Sequence, residues 1–310
     1  MATTKLIFFV LCHKNPQQVI KLVERLRDRD SIFVLHVDSR ANREVYETVT
    51  SFSETCPAQV HLCRKRYRCY WGRFGIVKAT LSCIREALEL GLAFNHAFLI
   101  SGQDYPIKSL ADIRAFLDNH AGKEFIESFP VNERNRWTEA HGDYNAINRV
   151  RYWTISLRSR HIQIKWRRRF PFGFRPHCGS MWWCLTNECI TYIDRFVREN
   201  RSYLRYFRTV FIPDESFFQS IVSNSPYRNN IISDDLRYVD WDHPNPGYPR
   251  TLETSDFEKL RASSKLIARK FDARSEELLS LVDREIIISE SVNGISIPQK
   301  DTAPAKSDLA

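Results

Sequence analysis

Two adjacent carboxylates, Asp214 and Glu215, follow Pro213 at the head of the apolar run Phe211-Ile-Pro-Asp-Glu-Ser-Phe-Phe-Gln-Ser-Ile221. Proline favours the first helical position, so the sequence predicts a helix over 213–223 with both carboxylates in its first turn. There the helix dipole stabilises a carboxylate in its charged form, ready to take a proton as a base. Thirty-five residues beyond Glu215 comes Arg250, and then Ala268-Arg-Lys-Phe-Asp272. A base followed by cations able to clamp an anion suggests transfer of a group from a phosphate-bearing donor. Position alone also allows blander roles: Glu215 as a helix-terminal charge, and Arg269 with Lys270 as a surface pair in which Lys270 is the inward member.

These residues need a scaffold, and the first 120 residues alternate strand-like and helix-like segments. The patterning predicts a strand at 5–11, a helix opened by Asn15-Pro16 with Asn15 as N-cap, a strand at 32–37 and a helix from about 41. A short strand at 59–62, a helix at 74–90, the strand His96-Ala-Phe-Leu-Ile-Ser101 and a helix from about 109 follow. Such alternation argues for an α/β fold with a parallel sheet covered by helices. Ligands bind beyond the carboxyl ends of such strands. Those ends, Cys12-His13, Asp38-Ser39-Arg40 and Gly102-Gln103-Asp104, are all polar. Asp38 could hydrogen-bond a ribose or base and Asp104 could face a donor sugar; equally, each could cap the next helix.

Between about 128 and 178 the periodicity degrades and the chain becomes basic and aromatic, as in Arg149-Val-Arg-Tyr-Trp153 and Lys165-Trp-Arg-Arg-Arg-Phe170. This reads as a long excursion over the sheet, either a solvated charged face or a surface for membrane or acidic glycan. Nucleic acid is disfavoured: the basic residues are confined to one insert, the rest of the chain is nearly balanced in charge, and no recognised DNA-binding pattern is present. Gly179-Ser-Met-Trp-Trp-Cys-Leu-Thr186 reads as a buried strand, followed by a helix near 187–199. Trp182 and Trp183 alternate across it, so only one can face a site. A helical stretch follows at 274–285, and residues 291–310 read as a flexible polar tail.

A chain of 310 residues with 43% hydrophobic content can bury a large core, and its excess of nine cationic side chains favours acidic partners. The apolar run Leu6–Leu11 is far below the roughly 20 residues of a membrane span and lacks a cleavage site, so it reads as a strand rather than an anchor or signal peptide. The eight cysteines show no Cys-x-x-Cys pair. They read as reduced thiols of a cytosolic protein, with Cys12 and Cys83 as small buried residues.

Val10-Leu-Cys-His-Lys14, Leu35-His-Val-Asp-Ser-Arg40, Trp71-Gly with Val77-Lys-Ala79, Ser101-Gly-Gln-Asp-Tyr-Pro-Ile107, Gly179-Ser-x-Trp182, Pro213-Asp-Glu215 and Ala268-Arg-Lys-Phe-Asp272 occur in an order that resembles the core-2/I-branching enzyme family. That family comprises β-1,6-N-acetylglucosaminyltransferases and the related peptide O-xylosyltransferases, and the resemblance covers about residues 4–275. It implies a GT-A-like (Rossmann-like) mixed sheet flanked by helices, an inverting reaction, and a UDP-sugar donor with no required metal. It further implies that Glu215 is the general base and that Arg250 and Lys270 hold the donor diphosphate. His13, Asp38, Arg40 and Trp71 fall where the family binds the uridine nucleotide, and Glu127, Arg136 and Trp182 where it meets the acceptor.

On this reading residues 1–290 form one glycosyltransferase domain, with a nucleotide half over about 1–127 and an acceptor and catalytic half over 128–290. Asp240-Trp-Asp242 is formally the Asp-x-Asp of metal-dependent enzymes. Its place after the base, rather than at the end of a central strand, argues against manganese there, because a hard cation needs clustered oxygen ligands. Glu215-Ser-Phe-Phe-Gln-Ser-Ile-Val222, Asn224-Ser-Pro226 and Leu236-Arg-Tyr-Val-Asp-Trp241 are more similar to the xylosyltransferase branch, leaving xylose and N-acetylglucosamine both open. With no leader visible, a bacterial-type soluble member fits: cytoplasmic or peripheral to the inner face of the membrane, acting on a glycan, polysaccharide or lipid-linked acceptor. The competing class is a catalytically silent glycan-binding protein of the same fold.

Overall fold

The structure is a computed structural model that describes residues 3–140, 142–157, 160–242 and 248–288; the tail expected at 291–310 lies outside them. In chain order the elements are β1 (Leu6–Cys12), α1 (Pro16–Leu26), β2 (Ser31–Val37), α2 (Arg43–Thr55), β3 (Val60–Leu62), α3 (Gly75–Glu89), β4 (His96–Ser101), β5 (Asp104–Pro106) and α4 (Leu110–Asp118). There follow β6 (Glu124–Ile126), β7 (Phe129–Pro130), α5 (Ala146–Arg151), β8 (Trp153–Leu157), β9 (Arg160–Ile164), β10 (His177–Cys178), β11 (Trp183–Thr186), α6 (Asn187–Glu199) and α7 (Arg201–Phe207). The last are α8 (Phe217–Ser223), β12 (Ile231–Ile232), β13 (Arg237–Val239), α9 (Phe257–Ala262), β14 (Ile267–Arg269) and α10 (Glu276–Val282).

Seven strands form the main sheet in the order β12-β6-β11-β4-β1-β2-β3. The strands β1 to β4 are mutually parallel, as the alternation predicts, and the register places Phe8 opposite Phe33 on one side and Phe98 on the other. The sheet as a whole is mixed rather than parallel. After β6 the chain leaves on its basic excursion and returns as β11, wedged antiparallel between β4 and β6. The strand expected over Gly179–Thr186 shortens to Trp183–Thr186. Its first residues are displaced because Gly179 packs on the carbonyl of Glu127, where a Cβ would come within 1.8 Å.

Helices cover both faces. On α1, Val19, Leu22, Val23 and Leu26 are buried at helical spacing against Phe8, Phe33 and Leu35. The same core contains Ile267, Phe271 and Leu278, so the two ends of the described chain share one hydrophobic interior. On the opposite face, α3, α6 and α8 pack around Phe9, Trp183 and Phe217. A smaller cluster of Val131, Trp137, Ala146, Val150 and Cys178 anchors the excursion.

Helix starts differ in detail from expectation. Asn15 adopts left-handed φ/ψ of 50° and 64° and its side chain caps nothing; its carbonyl accepts from Gln18 and Val19 instead. The caps of α2 and α4 are Asn42 and Ser109, so neither Asp38 nor Asp104 is consumed as a helix cap. The helix expected over 274–285 is a 3-10 turn at 273–275 followed by α10 and a π-helical stretch at 283–288. A small sheet, β13-β14-β5, carries the C-terminal segment past the end of β4. All eight cysteines are free thiols, Cys12 and Cys83 fully or nearly buried. No helix among the described residues is long and apolar enough to cross a membrane.

Phe8 lies at the centre of this construction, with no exposed surface and ring centroids 5.2 Å from Phe33 and 5.4 Å from Phe98. Phe8→Ala should lower unfolding free energy by about 3–5 kcal/mol, since the three strands cannot close over the void. Urea denaturation checks this; an effect below ~1 kcal/mol would mean that the strands are not packed as described.

Candidate active site

Residues 213–223 do not form one helix. Pro213–Glu215 make a single 3-10 turn, Ser216 leaves helical geometry at φ −143°, and α8 starts only at Phe217. The helix dipole is therefore not what holds Glu215. Its Oε2 accepts from the indole Nε1 of Trp137 at 2.9 Å and from the Arg149 guanidinium at 2.6 Å. Arg149 is 4% exposed, while the Glu215 side chain retains 29% exposure. An inward cation and an indole thus fix an outward carboxylate, with both bonds on one oxygen.

Asp214 behaves differently. It is buried with Oδ1 lacking a hydrogen-bond partner, and burial, reinforced by the adjacent charge of Glu215, raises its pKa to about 7. The two neighbouring carboxyls are thereby separated in role, one inside and only partly ionised at neutral pH, one outside and anchored by a cation.

Beside Glu215 stands a second carboxylate, Glu127, which accepts from Arg136 at 2.6 Å and from the Ser180 N–H at 3.1 Å. Burial raises its pKa to about 7 despite the opposing Arg136. The Arg136 guanidinium lies 4.0 Å from the Trp137 ring centroid, and that ring's N–H reaches Glu215. Gly179 closes the arrangement: its N–H donates to the Glu215 carbonyl at 2.9 Å while its Cα abuts the Glu127 carbonyl.

The carboxyl ends of β1 and β2 carry the residues expected at a nucleotide. Asp38 is 5% exposed and accepts from the backbone N–H of Arg40 at 2.8 Å and of Cys69 at 3.2 Å. Arg40 sits 4.0 Å from the Tyr70 ring centroid. Trp71 is 44% exposed, and its ring meets Tyr144, Phe211 and Tyr248. Gly72, at φ +69°, accepts from Ile212 N–H, so the Trp71 loop is tied directly to the segment that carries Glu215.

The exposed His13 has its pKa lowered, first by partial desolvation and then by Lys14; Asp38 opposes this, and Lys270 and Arg40 are also within electrostatic reach. Cys69 senses Asp38, Arg40 and Asp214 together. The structure thus brings His13, Asp38, Arg40, Trp71, Glu215 and Lys270 to one edge of the sheet.

The expected surface pair resolves differently. The Arg269 side chain is 13% exposed and turns to Asp104, 3.4 Å away, so it is as inward as Lys270. Lys270 is half-buried, its pKa lowered by desolvation and then by Lys14 and Arg269. Asp104 has no exposed surface and is held by Ser101 and by Arg237 as well as Arg269. Trp182 lies in this group, with guanidiniums 4.8 Å (Arg237) and 4.4 Å (Arg269) from its ring centroid, while Trp183 is wholly in the core. Arg250 is engaged by two carboxylates, Asp240 at 2.6 Å and Asp256 at 2.5 Å. Among the described residues no group of three or more His, Cys, Asp or Glu is arranged to hold a metal ion.

Sequence reading missed Arg149, placed within a charge run taken as either solvated or surface-binding, and Trp137, which stood in a stretch without periodicity. The one local signal was Asn145, which caps the short helix α5 that buries Arg149.

The Asp214 side chain makes a pH prediction. Its folded pKa lies above that of an unfolded aspartate, so the folded state keeps a proton that the unfolded state loses. Stability should fall as pH rises from about 4 to about 7 and then level off. Asp214→Asn should remove this slope and gain on wild type above pH 7 by an amount of order a few kcal/mol. Parallel pH-dependent unfolding curves for the two proteins would refute the assignment.

Comparison with known proteins bears on this geometry. Canine "Xylosyltransferase 2" is 25% identical over 291 residues, covering 86% of this chain and 32% of that protein. "Xylosyltransferase oxt" of Drosophila pseudoobscura pseudoobscura is 24% identical over 73% of this chain and 25% of its own length. "Xylosyltransferase sqv-6" of Caenorhabditis briggsae is 24% identical over 94% of this chain and 37% of its own. The chain spans between a quarter and somewhat over a third of the length of these curated relatives. The family model described as Core-2/I-Branching enzyme matches residues 6–261, most of the chain, and the protein belongs to that family of glycosyltransferases.

Proposed function

We propose that this protein is an inverting glycosyltransferase of GT-A type that moves a sugar from a UDP-sugar to a hydroxyl of a glycan or related acceptor. The observation that carries the reading is the fixed, solvent-reaching carboxylate of Glu215, oriented through one oxygen by Arg149 and Trp137. Its Oε1 is then the oxygen turned toward an incoming hydroxyl, whose proton it takes as the acceptor oxygen attacks the anomeric carbon. Glu127 and Arg136, joined to the Glu215 support through Trp137, border the acceptor.

At the other side, Lys14, Lys270 and Arg269 crowd like charges together beyond the ends of β1 and β14. Such a cluster is relieved by an anion, and a departing diphosphate supplies one as charge develops in the transition state. Lys270 is the principal cation in this reading. Arg250 supports it: its segment is tied to Lys270 by a 2.8 Å bond from Leu252 N–H to the Lys270 carbonyl. Asp38 and Arg40 hold the nucleoside, Trp71 offers an exposed ring to the base, and His13 lies between nucleoside and phosphates. Asp104 fixes Arg269 and Arg237 beneath the donor, with Trp182 between them.

The proposed chemistry needs no metal, because positioned cations can stabilise the leaving group in its place. A divalent ion at Asp240 would have to displace Arg250, which already donates to that carboxylate. On this assignment the nucleoside contacts lie before about residue 127, in the nucleotide half, while the acceptor and catalytic half after it also supplies Lys270 and Arg250 for the diphosphate. The relatives carry the name xylosyltransferase, which makes UDP-xylose the first donor to test, with UDP-N-acetylglucosamine beside it.

Thermal unfolding with UDP, UDP-xylose and UDP-N-acetylglucosamine, each in EDTA or manganese, tests the donor site. Ligand at 100 times its dissociation constant should add about 2.7 kcal/mol of stability in EDTA. Lys270→Ala should lose most of that gain and lower turnover by roughly a hundredfold. Stabilisation only with manganese would move the diphosphate to Asp240 and Asp242. No stabilisation by any of the three would favour a glycan-binding protein without transferase activity.

Glu215→Gln separates binding from chemistry. It should leave UDP-dependent stabilisation intact and reduce UDP release in the presence of acceptor by about 10²- to 10⁴-fold. Turnover within threefold of wild type would remove Glu215 as the base.

A further inference from the structure

The hairpin of β8 and β9 is built inside out. Its register sets Trp153 opposite Ile164 and Ile155 opposite Ile162, which places these four side chains on one face. That face looks outward: Trp153 is 43% exposed, Ile155 52%, Ile162 58% and Ile164 41%, and Trp166, just past the strand, is 77% exposed. The polar face looks inward. Thr154 is 5% exposed and its N–H donates to the Thr209 carbonyl, Ser156 pairs with His161 at 2.7 Å, and the His161 ring lies 4.7 Å from Phe211. Gln163 donates to the Asn148 carbonyl. An isolated exposed apolar residue means little, but four aligned on a hairpin whose polar side is turned to the protein, with Trp166 just beyond them, mark a surface that binds something.

Charge says what. Between Asp143 and Glu188 the sequence has no acidic residue and nine Lys or Arg, equal to the formal net charge of the entire chain. Of these, Arg149 and Arg168 are taken up by internal contacts, with Glu215 and with Thr209 and Tyr206 respectively. Arg151, Lys165, Arg167 and Arg169 flank the hairpin and are exposed. A second copy docking by this same face would bring two basic rims together, which costs energy. An anionic lipid surface meets both features, since apolar and indole side chains enter the headgroup boundary while the cations meet lipid phosphates.

We propose that the β8–β9 hairpin is a peripheral membrane anchor that inserts Trp153, Ile155, Ile162, Ile164 and Trp166 into an anionic lipid leaflet. Its ties to Thr209 and Phe211, just before Asp214, hold the candidate active site close to that surface. The proposal rests on the hairpin alone and stands apart from the donor and the reaction.

Sedimentation of the full chain with phosphatidylcholine vesicles, with and without phosphatidylglycerol, tests it. The wild type should partition onto the phosphatidylglycerol vesicles, and lipids brominated in their chains should quench its tryptophan fluorescence. The variant Ile155→Ser/Ile162→Ser, substituted only at exposed positions, should keep the wild-type thermal midpoint and partition about tenfold more weakly. Lys165→Glu/Arg167→Glu should lose the preference for phosphatidylglycerol. Absent partitioning or quenching of the wild type would overturn the proposal. So would undiminished binding by the serine variant, which would mean adsorption through charge alone, or a wild-type dimer in solution that the serine variant loses.

Discussion

The carboxylate of Asp104, wholly removed from solvent, joins the C-terminal segment to the central sheet. It sits just beyond β4 and receives Arg237 from β13 and Arg269 from β14, while Ser101 donates to both its oxygens. Arg237 also donates to the Leu99 carbonyl within β4. A charge buried this deeply is tolerable only among such partners, and losing one side of the group would strand the other at a cost of about 3–5 kcal/mol. Lys270 follows Arg269 directly, and Leu252, two residues beyond Arg250, is bonded to Lys270. The positions of Lys270 and Arg250 therefore pass through this one ionic group.

Much of the scaffold was legible because it follows simple periodicities. The strands at 6–12, 31–37 and 96–101 are apolar runs of the right length, and the polar residues at two of their ends, His13 and Asp38, do gather along one edge. What was illegible depended on distant partners. Apart from the Asn145 cap, nothing local to Arg149 separates it from Arg151, yet one is buried against Glu215 and the other exposed. Ser216 interrupts the expected helix because the backbone at Gly179 bonds to the Glu215 carbonyl, a contact between segments 36 residues apart. The antiparallel return of β11 was hidden likewise, since a short buried strand reads the same in either direction.

Cationic side chains outnumber acidic ones by nine, but the fold treats them unequally. Arg149, Arg237 and Arg269 are inward and act as internal props, each against a carboxylate. Arg250 is held between Asp240 and Asp256. Lys14 and Lys270 are left mainly with other cations as neighbours. The same residue types thus serve as supports where acids accompany them and as an anion-seeking surface where they do not, a distinction that net charge cannot express.

Gly179 couples the segments of Glu127 and Glu215 mechanically. Its N–H is fastened to the peptide that carries Glu215, and its Cα rests against the peptide of Glu127 with no room for a side chain. The stretch from Glu127 to Trp137, which carries the proposed acceptor contacts, begins at this junction. Any displacement of that stretch is handed on through a contact with no slack to the backbone of Glu215. Divergence here is then constrained to side-chain exchange on a stationary main chain, and loop lengthening is pushed outward, away from the junction.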